Sequence, residues 1–152
     1  MHYIMLVDDE QNLLNALSRE LARVEDEQGQ PIALAVDCYP DPASALMAAE
    51  IKSYDLVISD YRMPGMNGVE FLSQFRRHQP DAIRIILSGS TDVPGLIRAV
   101  NEAQIFHLLR KPWCEEELKQ LILRGIRERQ RLLENKRLAD VVRAGQSAVR
   151  HR

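Results

Sequence analysis

The chain has 152 residues, 45% of them hydrophobic and 28% charged, with a formal net charge of −2. These values suit a single domain with a real core and exclude wholesale disorder. Two widely separated cysteines, Cys38 and Cys114, exclude a disulfide scaffold or a cysteine-rich zinc site, and no apolar run approaches the ~18 residues of a membrane helix.

The charge is unevenly spread. Residues 1–123 hold 11 Lys and Arg against 19 Asp and Glu, whereas residues 124–152 hold 9 against 3. An acidic body therefore carries a basic tail, with the shift near Arg124. The opening MHYIMLVDDE has no basic segment ahead of its apolar run, so no signal peptide is expected. A reduced, cytoplasmic setting is the default expectation.

The first strand is expected over residues 3–7, running into Asp8-Asp9-Glu10. Leu13, Leu14, Leu17, Leu21 and Val24 then recur at helical spacing. A polar loop over residues 25–31 leads to a second strand over 32–39. Asp41 caps a helix that has Pro42 at its first position. The third strand, residues 55–59, ends on Asp60 and enters a loop holding Pro64, Gly65 and Gly68. Pro64 and Gly68 are expected to shape that loop, Gly68 by permitting positive φ. Asn67 caps a helix carrying Val69, Phe71, Leu72 and Phe75. A fourth strand is expected over 82–87 and a fourth helix over 93–103, with Pro94 in its first turn. The fifth strand is expected over 105–109. From Glu115 onward the chain reads as helix, with Leu118, Leu121, Ile122 and Ile126 on one face.

Five strands alternating with five helices argue for an α/β fold, a doubly wound parallel sheet with helices on both faces. Sites in such sheets lie outside the carboxyl ends of the strands. Those ends carry Asp8-Asp9, Asp60, Ser88 and Arg110-Lys111-Pro112. Three carboxylates gathered together call for a compensating cation, and hard oxygen ligands suit Mg2+. A carboxylate nucleophile, a metal, a hydroxyl and an ammonium together describe a phosphoryl-transfer site.

Val7-Asp8-Asp9-Glu10, the stretch 59–68, Ser88-Gly89 and Lys111-Pro112 resemble, in order and spacing, bacterial two-component response-regulator receiver domains. The resemblance covers roughly residues 3–124. It implies a flavodoxin-like (βα)5 sheet in the order 2-1-3-4-5, with residues 1–124 as the receiver domain and 125–152 as a basic helical extension or linker. It implies Asp60 as phosphoacceptor, served by a sensor histidine kinase or phosphotransfer protein. Asp8, Asp9, Asp60 and the backbone carbonyl of Arg62 would hold Mg2+, with Mn2+ as a substitute. Lys111 would stabilise the phosphoryl oxygens, Ser88 would move toward them after transfer, and the Lys111–Pro112 bond would be cis.

Some positions depart from the common pattern. Leu108 stands where many receivers carry an aromatic ring that turns inward on activation, so this switch surface is expected to repack without a ring flip. Arg62 and Ser90 occupy positions that influence phosphoryl lifetime in the family. The stretch IFHLLRKPW, residues 105–113, resembles receivers fused to HD-type cyclic-dinucleotide phosphodiesterases or AAA+ transcription activators. Trp113 is expected to pack at the start of the last helix.

Rival readings are a phosphorylation-independent interaction module and a phosphatase using an aspartyl phosphate. The complete set of site residues argues against the first. Against the second, Arg62 occupies the place of the general acid. The protein is thus expected to be a switch rather than an enzyme. The tail keeps apolar residues at helical spacing, but a strict heptad fails at Gly125 and Arg129. A solvated helix, a homodimer through the last helices, or a link to a missing C-terminal output domain are the expected uses. With no DNA-binding motif and no membrane segment, neither nucleic acid nor membrane is an expected partner.

Overall fold

The computed structural model describes residues 1–89, 96 and 100–150, with side chains described through residue 146. Strands β1 (His2–Val7), β2 (Leu34–Tyr39), β3 (Leu56–Asp60), β4 (Ile83–Ser88) and β5 (His107–Arg110) form one parallel sheet in the order β2-β1-β3-β4-β5. Helices α1 (Gln11–Leu21), α2 (Pro42–Ile51) and α3 (Gly68–His78) connect them, and a C-terminal helix spans Glu115–Arg150. The strand order reverses direction at β1 and β3. The crevice of such a sheet opens there, at the carboxyl ends of the strands.

Alternation along each strand sends side chains to opposite layers. Ile4 and Leu6 of β1, Ile58 of β3 and Ile85 of β4 pack with Leu14 and Leu17 of α1 and with Leu121 and Ile122 of the C-terminal helix. Met5, Val7, Val57 and Ile86 pack on the other side with Ala45, Phe71 and Leu72. Burial of each of these side chains other than Ala45 contributes about 1.5–3 kcal/mol. The two layers hold the strands rigidly and so fix where their ends lie.

Local sequence sets the helix starts. Asp41 accepts hydrogen bonds from the backbone N–H and hydroxyl of Ser44, and Asn67 accepts one from the Glu70 N–H at 2.9 Å. Both satisfy amides that a first helical turn leaves unpaired.

Several boundaries differ from the sequence expectation. β5 begins at His107, not Ile105, because the Ile105 N–H donates to Val100 O and Gln104 takes φ 48°, which closes the preceding helix. β2 begins at Leu34, since Pro31 and Ile32 still pair with Glu25 and Val24. Of the expected fourth helix, Leu96 and residues 100–103 are helical; Ser90, Pro94 and its other positions lie outside the described residues.

The charge shift near Arg124 falls inside one continuous helix. Ile126 is buried, Leu132 packs against the core, and Arg129 reaches Asp55 at 2.9 Å. A Cβ on Gly125 would come within 2.9 Å of Leu56 Cδ2. The two residues that interrupt a heptad are therefore those that seat the helix on the sheet.

Candidate functional site

β1 ends at Val7 and delivers Asp8 and Asp9 to the crevice, the Asp8 N–H donating to Tyr39 O. Asp8 is 1% exposed. Its Oδ1 accepts from the Glu10 N–H at 2.8 Å, and its Oδ2 has no hydrogen-bond partner among the described residues. Asp9 beside it is exposed. β3 carries Asp60 as its last residue, one position further than the sequence suggests, with only 6% of its surface exposed. The Tyr61 N–H donates to Leu87 O, and the Ser59 hydroxyl donates to Asp60 O at 3.0 Å. Carboxylate oxygens of Asp8, Asp9 and Asp60 lie within 4.8 Å of one another.

Lys111 follows β5 and places Nζ 3.0 Å from Asp60 Oδ1. Its backbone N–H donates to Ser88 O, so the last residue of β4 and the first beyond β5 are tied together beside the carboxylates. Ser88 is fully buried, and its hydroxyl has no partner among the described residues. The Lys111–Pro112 bond is cis, as expected.

The electrostatics follow from this crowding. Burial pushes the Asp8 carboxyl up to about 6; the Glu10 amide opposes the rise, and the charge on Asp60 adds to it. Burial raises Asp60 as well, against the pull of Lys111. A buried carboxylate oxygen without a donor, close to two more carboxylates, is the environment a hard divalent cation compensates. The donor set, all oxygen, is of the right kind for one.

The structure thus brings together Asp8, Asp9, Asp60, Ser88 and Lys111. Arg62 is exposed on the loop two residues past Asp60. Leu108 pairs in register with Ile86 and packs, partly buried, on the α2–α3 side of the sheet. Trp113 packs against the core, and its ring N–H donates to Glu20 Oε2 at 2.6 Å.

Gly68 corrects one expectation. Positive φ in this loop belongs to Gly65, at 83°. Gly68 is needed for a different reason: a Cβ there would lie 2.3 Å from the carbonyl oxygen of Asp60. Its N–H donates to Tyr61 O at 2.7 Å, folding the loop tightly under the carboxylate. Pro64, Gly65 and the cap Asn67 marked a turn in the sequence, but the close approach of Gly68 to the Asp60 carbonyl had no local signal.

Residues 4–123 match the family model described as the response regulator receiver domain. The hydrogenase transcriptional regulatory protein HoxA of Cupriavidus necator is 37% identical over 115 residues, covering 76% of this chain and 22% of that protein. The cyclic di-GMP phosphodiesterase response regulator RpfG of Xanthomonas campestris pv. campestris is 33% identical over 118 residues, 76% of this chain and 29% of that one. Among solved structures, the signal receiver domain of an HD domain-containing protein from Pseudomonas fluorescens Pf-5 aligns with TM-score 0.78 and 27% identity, over 88% of this chain and 92% of that one. The chain spans about a quarter of the length of the HoxA and DctD regulators it matches. The sheet order, the strand-end residues and the family match agree, and the chain belongs to the receiver domains of two-component response regulators.

Proposed function

We propose that this receiver takes a phosphoryl group onto Asp60 from the phosphohistidine of a sensor histidine kinase or a phosphotransfer protein. An Asp60 carboxylate oxygen attacks phosphorus, the P–N bond breaks, and its electron pair leaves with the imidazole. The observation that carries this reading is the 3.0 Å contact between Lys111 Nζ and Asp60 Oδ1, beside the cluster of Asp8, Asp9 and Asp60.

Each residue has a distinct task. β3 holds Asp60 on a rigid edge, so a weak nucleophile is presented in one orientation. Asp8, Asp9, Asp60 and the Arg62 carbonyl would hold Mg2+. When bound, the ion neutralises charge on the carboxylates and on the phosphoryl oxygens. Lys111 would pass from the Asp60 carboxylate to a phosphoryl oxygen of the product. The Ser88 hydroxyl, buried without a partner among the described residues, would donate to another. Leu108, on β5, belongs to the surface that repacks in response.

The output lies in a partner or in a further domain. Several relatives are transcriptional regulators by name and one is a cyclic di-GMP phosphodiesterase, each longer than this chain. The C-terminal helix, with Leu138, Val141 and Val142 exposed, supports pairing with a second copy along its length. No helix among the described residues is long and apolar enough to cross a membrane, and we place the switch in the cytoplasm with its kinase.

Incubation with acetyl phosphate and Mg2+ followed by intact mass measurement tests the assignment. One added phosphoryl group is expected, absent from Asp60→Asn and from wild type treated with EDTA. A wild type that gains nothing, or an Asp60→Asn protein that gains as much, refutes it.

A further inference from the structure

Arg84 is the one arginine of the strands that is buried, at 6% exposure, and the phosphoryl chemistry does not use it. It sits near the start of β4, at the end of the sheet opposite Ser88. Its guanidinium donates four hydrogen bonds to backbone carbonyls. Nε donates to Ala103 O at 3.1 Å and Nη2 to Gln104 O at 3.3 Å. Nη1 donates to Ala82 O at 3.0 Å and Pro80 O at 3.2 Å. The planar fork thus joins the segment leading into β4 to the segment leading into β5.

The second of those segments needs holding. The helix ending at Ala103 closes through a left-handed residue, and that residue is Gln104 rather than glycine. A residue with a side chain is strained at φ 48° and persists there only when its surroundings hold it. The carbonyls at a helix carboxyl end carry partial negative charge, which suits a cation. The Arg84 guanidinium supplies it at Ala103 and Gln104.

Strand pairing begins at the same place. The Phe106 N–H donates to Arg84 O at 2.8 Å, and the ladder continues from Ile85 and His107 to Ser88 and Arg110. It ends where the Lys111 N–H donates to Ser88 O. β5 has four residues and lies at the sheet edge, so β4 is its only strand neighbour. A slip of one residue would carry Lys111 about 3.3 Å along the strand, enough to break its contact with Asp60.

We propose that Arg84 is a positioning residue for Lys111. By clamping the carbonyls of Ala103 and Gln104 it sets the register in which β5 starts, and the register sets where Lys111 ends. The functional part of this proposal rests on the reading of Asp60 and Lys111 as the phosphoryl site.

Two variants and two measurements test it. Arg84→Lys keeps the charge but replaces three donor nitrogens with one, and Arg84→Met removes the charge while keeping bulk. Hydrogen exchange is followed at the amides from His107 to Lys111, and phosphorylation of Asp60 by acetyl phosphate and Mg2+ is followed by mass. Faster exchange at the Lys111 amide is expected in both variants, with a phosphorylation rate about tenfold lower or more. Leu21→Ala, destabilised in the core at the end of α1, is expected to keep the wild-type rate. Should Arg84→Met fail to fold, Arg84→Lys decides the matter alone. Unchanged protection at Lys111 overturns the proposal, as does a wild-type rate despite lost protection. A wild type that takes no phosphoryl group would instead refute the Asp60 reading, and exchange in β5 would still judge the clamp.

Discussion

A Cβ on Gly68 would stand 2.3 Å from the carbonyl oxygen of Asp60 and 3.0 Å from Tyr61 Cα. Both obstacles are backbone, and one belongs to the strand that presents the carboxylate. Neither can step aside as the tip of a flexible side chain would.

Gly68→Ala should therefore destabilise the protein by about 1–3 kcal/mol, the usual range for overpacking a tight contact. Urea unfolding measures this. The displacement falls on Asp60 itself, so the phosphorylation rate should fall as well. Gly65→Ala is the contrast: nothing lies within 4 Å of the added methyl, and its penalty comes only from φ 83°. It should leave the phosphorylation rate nearly unchanged.

Asp8 makes stability depend on pH in a defined direction. Burial pushes its carboxyl up to about 6 in the folded protein, above the ordinary aspartate value of 3.8. The folded state thus holds a proton between those values that the unfolded state has released. Without divalent cations, the contribution of Asp8 is most favourable below pH 3.8 and is lost as pH rises through about 6. Asp8→Asn keeps an oxygen for the Glu10 N–H and removes the charge. Its melting temperature at pH 7.5 in EDTA should exceed that of wild type by about 3 °C or more, and the gap should close near pH 4. Calorimetry across that range checks it. A gap that widens on acidification would contradict the assignment.

Asp55 links the start of β1 to the C-terminal helix. One carboxylate oxygen accepts from the Tyr3 N–H at 2.6 Å, and the other meets Arg129 Nη1 at 2.9 Å. Both side chains are largely shielded. Asp55→Ala would leave the Tyr3 amide and the Arg129 guanidinium without this acceptor, at a cost of about 2–3 kcal/mol. Arg131→Ala breaks an exposed pair with Glu128 on the same helix, screened by solvent, and should leave the denaturant midpoint nearly unchanged. Denaturant midpoints of the two variants separate an anchoring ion pair from an ornamental one. Trypsin should also cut the helix beyond Arg129 faster in Asp55→Ala.

The fold was legible wherever local pattern and burial agree. Apolar runs bounded by turn residues gave the strands, and Asp41 and Asn67 marked their helices because a capping interaction spans only three residues. Asp8, Asp9, Asp60, Ser88 and Lys111 could be singled out because each follows or ends an apolar strand. In a parallel sheet all such ends lie on one side.

Interactions between residues distant in sequence were not legible. Nothing in the pattern joins Asp55 to Arg129, Arg84 to Gln104, or Trp113 to Glu20, since each pair meets only after the sheet has formed. The start of β5, expected at residue 105 and found at His107, was misplaced for a related reason. Gln104 is an ordinary helix residue by composition, and its left-handed conformation is held by the guanidinium of Arg84 across the sheet.

The sequence by itself determined the order of elements, the polar residues at the strand ends and the family to which they belong. Tertiary structure alone decided the distances: 3.0 Å from Lys111 to Asp60 and 2.3 Å from the missing methyl of Gly68 to the Asp60 carbonyl. The physical reason is that periodicity and capping act within a few residues. The position of a charge at a strand end depends on register, and register is set by contacts made across the whole sheet.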